Sequence, residues 1–278
     1  MPATINTNIA SLNAQRSLSA SSSSLATSMA RLSSGLRVNS AKDDAAGLAI
    51  AERMNAQIRG MNVAIRNAND GISYAQTAEG ALSKVGDSLQ RMRELAVQAR
   101  NASNTEKDQD SLQNEFKELQ SEIDRVLKGT TFNGSTIFTA TGSLDFQVGA
   151  GTTGNDRVSI TLGNTALTAD ASLTSVTTTT AIIGDLGTTT AVAGSAIDAV
   201  IGSIDAAIDK INSQRSVWGA TQNRFDAVIS NLQVSVENQA AARSRIMDAD
   251  FAAETANLSR AQILQQAGNA MIAQANAQ

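Results

Sequence analysis

The sequence predicts a mainly α-helical protein, a long antiparallel helical bundle or coiled-coil rod that carries a small β-hairpin region. Toward both ends of the 278-residue chain, apolar residues recur at alternating three- and four-residue spacing, as in helix–helix seams. The only proline is Pro2, so the rest of the chain lacks the strongest helix-breaking residue. Aromatic residues make up 3% of the chain, which favours seams of small aliphatic side chains over a thick globular core.

The two ends of the chain carry thin apolar stripes. The N-terminal stripe consists of Ile5, Ile9, Leu12, Leu18, Leu25, Met29, Leu32 and Leu36. The C-terminal stripe consists of Phe251, Leu258, Leu264, Met271 and Ala275. Both segments are rich in Ser, Ala, Asn and Gln. Because most of the stability of a helix comes from packing, each segment alone is expected to be a marginal helix. We therefore expect them to be ordered by a partner surface, such as other copies of the same chain.

Three longer helices are predicted between these ends, at 44–100, 105–128 and 197–239. The first has two adjacent seams, one through Leu82 and Leu89 and another through Val85, Met92, Leu95 and Ala99, which predicts more than one neighbour. The second opens with a weak capping box, Thr105 with Asp108, and stops at Gly129. In the third, a ladder from Ile197 to Val236 is interrupted by Arg215 and Gln222, which we interpret as lying at the edge of the seam.

The middle of the chain, residues 130–194, has a different composition, rich in Thr, Gly, Ser and Asn. An Asn133-Gly134 turn signal and alternating apolar residues at 144–148 and 158–162 predict short strands. We expect a small hairpin region and a Thr-rich segment that faces solvent. Its residues 174–190 are either acceptors of O-linked sugars or a plain polar loop.

Composition excludes several functions. With no cysteine and no histidine, the chain cannot form disulfides, Cys or His zinc sites, or a Ser-His-Asp triad, and we expect no enzyme activity and no cofactor. The net charge of −4 is spread without a basic stripe, which argues against nucleic acid as a partner. No run is long and apolar enough to insert in a membrane, and the N-terminus lacks the features of a secretory signal peptide.

Several motifs resemble those of bacterial flagellins. Residues 33–47 read SSGLRVNSAKDDAAG, 66–73 read RNANDGIS, 244–251 read SRIMDADF and 259–268 read SRAQILQQAG. The similarity covers roughly the first 140 and last 75 residues, in order. It implies a secreted subunit that self-assembles into the extracellular flagellar filament for motility. The chain ends at Gln278 without the Leu-rich tail usual in flagellins. Because that tail belongs to the inner helix, we expect this chain to form filaments less readily than flagellins that carry the tail.

The resemblance also implies a domain organisation and partners. Residues 1–43 with 240–278 would form an inner terminal-helix domain, and residues 44–239 an outer rod domain. The expected filament contacts are Ile5, Ile9, Leu12, Leu258, Leu264 and Met271. Lys42, Asp43 and Asp44 either cap the following helix or take part in subunit contacts or in switching of the filament shape. Further implied partners are the flagellar export machinery, a chaperone and the filament cap, with export that needs no cleaved signal peptide.

Recognition by an innate-immune Toll-like receptor is a further implication. Arg91, Leu95 and Glu115 match positions that this receptor contacts in some flagellins, and Arg91 and Leu95 lie four residues apart, on one predicted helix face.

Two alternatives to a filament subunit remain open. One is a hook–filament junction protein of the same family, and the other is a coiled-coil surface stalk or adhesin.

Overall fold

The structure is a computed structural model that describes residues 8–139, 143–161, 167–178, 181–184 and 192–277. The mainly α-helical class predicted from the sequence is confirmed. The helices are α1 (Ile9–Ser34), α2 (Ala45–Ala99), α3 (Glu106–Gly129), α4 (Ala171–Thr177), α5 (Gly194–Met247) and α6 (Phe251–Ala277). The strands are β1 (Thr131–Phe132), β2 (Ser135–Thr136), β3 (Ser143–Gln147) and β4 (Arg157–Thr161). Within the described residues, no helix is long and apolar enough to cross a membrane.

The chain divides into two compact units. Unit 1 combines Met1–Arg59 with Ser235–Gln278, and unit 2 is Gly60–Val234. Helices α2 and α5 each contribute residues to both units.

Unit 2 is built on an antiparallel pairing of α2 with α5. Arg93 binds Asp205 at 2.6 Å and Arg100 binds Asp198 at 2.8 Å, so residue numbers fall along α5 as they rise along α2. The two seams predicted on α2 are both buried, as shown by its fully or nearly fully buried side chains Leu82, Val85, Leu89, Met92 and Leu95. The second seam exists because α3 packs on α2 as well, through Phe116 and Ile123.

Five of the seven aromatic residues of unit 2 form one cluster of ring contacts. The Tyr74 ring lies 5.4 Å from that of Phe132 and 5.8 Å from that of Trp218. The ring of Phe146 stands edge-on to that of Phe225, at 5.3 Å. Most of the large rings thus lie where the two helices and the hairpins meet, and mainly aliphatic side chains line the remaining seams.

The polar residues that interrupt the predicted ladders meet each other. Gln222 donates from Nε2 to Oε2 of Glu79 at 3.0 Å, and Arg215 lies 3.8 Å from Oε1 of the same carboxylate. Arg215 and Glu79 are both partly exposed. This agrees with the interpretation that Arg215 and Gln222 lie at the edge of the seam, and it pins the register of α5 against α2.

Two short antiparallel hairpins follow α3. β1 and β2 are joined by Asn133 and Gly134, with φ values of 48° and 80°, the left-handed conformations of a two-residue hairpin turn. β3 pairs with β4, with Leu144 opposite Ile160. Asp156 holds the connection by accepting hydrogen bonds from the backbone N–H and hydroxyl of Thr153. Leu162, at the end of the predicted alternation, lies outside the described residues.

The expectation that the Thr-rich segment faces solvent is wrong for its described apolar residues and right for some of its described Thr and Ser residues. This stretch includes the unpredicted helix α4, and its apolar side chains are buried in the core of unit 2: Leu167, Leu173, Val176, Ala181 and Ile183. Its exposed residues include Thr174 and Ser175, while much of 174–190 lies outside the described residues. The apolar residues are too few and too irregular to stand out as a helix or strand pattern in the sequence.

Three buried glutamines of α3 hold this segment by its backbone. Gln120 donates from Nε2 to the carbonyls of Val176, Thr178 and Ala181, at 2.7, 3.2 and 3.1 Å. Gln113 accepts at Oε1 from the N–H groups of Ile183 and Gly184, and Gln109 accepts from that of Val192. The glutamines thereby satisfy buried peptide groups of a segment without regular pairing.

The predicted helix ends need two corrections. The α5 helix begins at Gly194 instead of Ile197 and continues past Gln239 to Met247, because the run from Ala240 to Arg245 contains no helix breaker. The predicted capping box of α3 is confirmed: Thr105 N–H donates to Asp108 at 2.9 Å, and Asp108 N–H donates to the Thr105 hydroxyl oxygen.

Candidate assembly surface

Unit 1 contains an antiparallel pair of helices, α1 and α6. Arg31, near the end of α1, lies 4.0 Å from Glu254, near the start of α6. Toward the other ends, Leu18 closely approaches Gly268, where an added Cβ would lie 3.2 Å from the leucine Cδ1. The glycine therefore allows close contact between the two helices at this point.

The seam of this helix pair is made mostly of small and polar residues. Its buried side chains are Ser11, Ser28, Glu254 and Ala261, while Leu18, Leu25 and Leu258 are only half-buried. A seam of this kind removes little apolar area from water. Burial of apolar surface, worth about 25 cal/mol per Å², is the main source of stability in a helix pair. This pair therefore gains little stability from its own contacts.

Seven other large apolar side chains of the pair are exposed. Their exposed fractions range from 50% to 67%. The residues are Ile9, Leu12, Met29, Phe251, Ile263, Leu264 and Met271. Large apolar side chains exposed in this number on a pair with a polar seam are typical of helices that need a further packing partner. We call these seven residues, which lie on more than one face of the two helices, the assembly surface.

Most of the filament contacts expected from the sequence lie on this surface. Ile9, Leu12, Leu264 and Met271 are exposed, whereas Leu258 is half-buried. Ile5 lies outside the described residues.

Three members of the surface were missing from that expected set. Met29 and Phe251 belonged to the predicted stripes, and only their exposure distinguishes them from the stripe leucines that pack in the pair. Ile263 falls on neither predicted stripe. The signal available in the sequence was the adjacent pair of large apolar residues, Ile263 and Leu264, which cannot both point into one narrow seam.

The two connectors of unit 1 are tied to each other by hydrogen bonds. Gly35 ends α1 with a φ of 71°, and its carbonyl accepts from the N–H of Ala249 at 2.9 Å. Arg37 donates from its backbone N–H to Met247 O and from Nη2 to Ile246 O, both at 2.7 Å. Behind these bonds Val38, Ala51 and Met247 form a small buried cluster. The motifs at 33–47 and 244–251 thus meet in space.

The two acidic residues of the first connector both accept hydrogen bonds from nearby backbone N–H groups. Asp44 accepts from the N–H of Gly47 at 2.8 Å and so caps the start of α2. Asp43 accepts from the Ser40 backbone N–H, the Ser40 hydroxyl and the Asn39 N–H, and these bonds hold the pKa of Asp43 below its ordinary value. The capping interpretation therefore fits Asp44, whereas Asp43 stabilises the turn at 39–43 that precedes α2, and Lys42 remains exposed beside them.

The three receptor-recognition candidates do not share one accessible face. Arg91 and Glu115 are exposed and form an ion pair, with Arg91 Nε 2.7 Å from Glu115 Oε1. Leu95 is fully buried in the core of unit 2, so the expectation that it shares an accessible face with Arg91 is wrong. Position 95 points inward because it belongs to the second seam of α2, which packs in the core.

The described ranges contain no candidate metal centre. No group of three or more His, Cys, Asp or Glu side chains is close enough to hold a metal ion among those residues. The chemistry that the structure does display is the exposed apolar surface on a weakly packed helix pair.

Comparison with known proteins agrees with the motifs. Family models match at 5–143, the bacterial flagellin N-terminal helical region, and at 201–278, the C-terminal helical region. Flagellin of Bacillus subtilis (strain 168) is 43% identical, with 99% of this chain and 96% of that protein covered. The flagellar filament 33 kDa core protein of Treponema phagedenis is 38% identical, with 98% and 96% covered.

A solved structure shares the fold at much lower identity. A putative flagellar hook-associated protein from Vibrio parahaemolyticus has a TM-score of 0.57 at 13% identity, over 74% of this chain and 100% of that one. At that identity the likeness concerns the fold alone. The two family models, by contrast, span both helical ends of the chain, and relatives match it along nearly its whole length. The chain therefore belongs to the bacterial flagellin family.

Proposed function

We propose that this flagellin is the repeating structural subunit of a flagellar filament, an extracellular homopolymer that serves motility. The family supports this function, and the observation that carries it is the assembly surface. Seven large apolar side chains are exposed on a helix pair whose own seam is small and polar. Burial against neighbouring copies would supply the stability that the pair lacks.

The contact between copies is heterologous. A repeated head-to-tail contact that does not close into a ring generates a helical filament. In this proposal, residues 1–43 and 240–278 form the inner domain of the filament, and 44–239 form the outer one. Ile5, Ile9, Leu12, Leu258, Leu264 and Met271 make contacts between subunits, and Met29, Phe251 and Ile263 join them because they are exposed on the same helix pair.

The remaining functional expectations are part of the same proposal. The chain is secreted by the flagellar export machinery without a cleaved signal peptide, with a chaperone and the filament cap as further partners. It has no catalytic role, in keeping with a family of structural proteins. Casein incubated with the purified chain should remain intact, and its hydrolysis would overturn the non-enzyme part of the proposal.

Recognition by a Toll-like receptor is proposed for the exposed face of unit 2 that carries Arg91 and Glu115. Their ion pair is solvent-exposed, so each contributes little to the stability of the monomer and is available to a partner. An Arg91→Ala variant should weaken receptor signalling and leave the melting temperature of the monomer nearly unchanged. Equal signalling by the variant and the parent chain would argue against this site.

Filament formation can be tested with purified monomer. Short filament seeds or ammonium sulfate are added, and the product is viewed by negative-stain electron microscopy. Long tubes of uniform width are the expected result. Persistent monomer, both in this chain and in a version extended by a Leu-rich tail, would contradict the proposal and favour a junction protein or a stalk.

A further inference from the structure

The side chains that peroxides oxidise are unevenly distributed in this protein. The chain has no cysteine, so methionine is the main sulfur target. Among the described methionines, three have at most 6% of their surface exposed: Met61, Met92 and Met247. Met54 is half-buried, and the single tryptophan and single tyrosine are buried in unit 2. Met29 and Met271, in contrast, are 57% and 64% exposed.

Both exposed methionines belong to the assembly surface. Met271 follows Leu264 by seven residues, two helical turns, and so lies on the same face of α6. Met29 follows Ser28, a residue buried in the seam between α1 and α6. The only strongly exposed thioethers of the described chain are thus placed where other copies of the chain would pack.

We propose that Met29 and Met271 are two methionine-oxidation sites, and that hydroperoxides switch off self-association of this flagellin by oxidising them. The effect on assembly rests on the proposed function, whereas the selectivity of the oxidation rests on exposure alone. Because oxidation of sulfur follows its accessibility, the two sites react before the buried methionines do.

The chemical step is a two-electron oxygen transfer. A lone pair of the thioether sulfur attacks one oxygen of hydrogen peroxide, and an S–O bond forms as the O–O bond breaks. The sulfur is oxidised to the sulfoxide, and the remaining oxygen leaves as water with both protons of the peroxide. An external reductant, the methionine sulfoxide reductase system, reverses the change.

The product opposes burial. The sulfoxide oxygen is a strong hydrogen-bond acceptor on a side chain that was apolar, and burying such a group without a donor is unfavourable. In the isolated chain it remains in water at little cost, since Met29 and Met271 are exposed there. Oxidation therefore penalises the assembled state specifically and leaves the monomer folded.

The first test maps the oxidation. Purified monomer receives a limited dose of hydrogen peroxide, and peptide mass spectrometry measures sulfoxide at each methionine. Met29 and Met271 should be oxidised at least tenfold faster than Met92, the most buried methionine. Comparable rates at Met92 would overturn the proposal.

The second test measures assembly. For each protein, the critical concentration for seeded polymerisation is compared after and before peroxide. We expect a rise of roughly tenfold for the parent chain and for Met61→Leu, which keeps both exposed sites, and little change for a Met29→Leu, Met271→Leu double variant. A double variant as sensitive as the parent would overturn the proposal.

Repair provides an independent readout, even where the double variant assembles poorly before treatment. Methionine sulfoxide reductase should restore the critical concentration of the oxidised parent chain, and failure to do so would contradict the mechanism. If the untreated parent chain forms no tubes, even when extended by a Leu-rich tail, this would instead contradict the proposed function. In that case the oxidation map alone decides whether Met29 and Met271 are the preferred sites.

Discussion

Removing a single side chain from the assembly surface should weaken the filament by a predictable amount. Leu264 is 51% exposed in the chain. Full burial of a leucine side chain is worth about 1.5–3 kcal/mol, so burying the exposed half on assembly is worth about 1 kcal/mol. Leu264→Ala removes most of this gain, and the critical concentration for polymerisation should rise roughly fivefold.

The assay is sedimentation of seeded polymer over a range of subunit concentrations. Val97→Ala is the matched control, because Val97 is also 51% exposed but lies on α2 within unit 2. Fluorescence of the buried Trp218 during urea unfolding verifies that both variants keep unit 2 folded. An equal rise for the two variants, or none for Leu264→Ala, would refute the assignment of the assembly surface.

Three further predictions concern the stability of the monomer in unit 2. Gln120→Leu removes an amide whose two N–H hydrogens are shared among three carbonyls, two of them in buried bonds, and the free energy of unfolding measured in urea should fall by about 2 kcal/mol. Gly71→Ala would place a Cβ 2.6 Å from the buried ring of Phe225. Overpacking of about 2 kcal/mol outweighs the helix-propensity gain of about 1 kcal/mol, so the melting temperature should drop. The hydrogen bond from Arg100 lowers the pKa of Asp198. The Arg100–Asp198 pair therefore stabilises the fold fully above the ordinary pKa of 3.8, and this stabilisation disappears as the pH falls through the lowered pKa. The stability of the parent chain should therefore fall more steeply with acid than that of Asp198→Asn.

Each of these has a control or a contradicting result. Gln90→Leu, at an exposed position of α2, should change the free energy of unfolding by less than about 0.5 kcal/mol. A Gln120→Leu loss no larger than that would mean that the glutamine bonds contribute nothing net. A rise in the melting temperature of Gly71→Ala would show that Phe225 moves aside easily. If the stabilities of the parent chain and Asp198→Asn fall equally steeply with acid, Asp198 does not contribute to the pH dependence of stability.

The helical seams could be predicted from the sequence because the repeat extends over many turns. Leu82 and Leu89 on one seam, and Val85 and Met92 on the other, are buried as the spacing requires. The end of α5 could not be placed, because no proline or glycine interrupts the chain between Gln239 and Met247. Helix ends depend on caps and tertiary contacts that periodicity does not report.

The glutamine contacts could not have been predicted. Gln113 and Gln120 bind the backbone of a segment 56 to 71 residues away, and no local pattern encodes such pairing. The assembly surface was predicted in part, since amphipathic stripes identify apolar faces but cannot tell which side chains fill the seam and which remain exposed. Leu95 illustrates the same limit, because a residue four positions from an exposed arginine can still be buried when the helix has two neighbours.

The paired connectors of unit 1 impose an order on folding. Arg37 and Ile246, which share a hydrogen bond, are separated by 209 positions along the chain, a contact of very high sequence separation. Unit 2 is a single continuous stretch and can condense by itself, whereas unit 1 must await the last residues to be delivered. A nascent polypeptide that lacks α6 therefore cannot complete the helix pair. Its α1 segment stays unpaired until α6 becomes available.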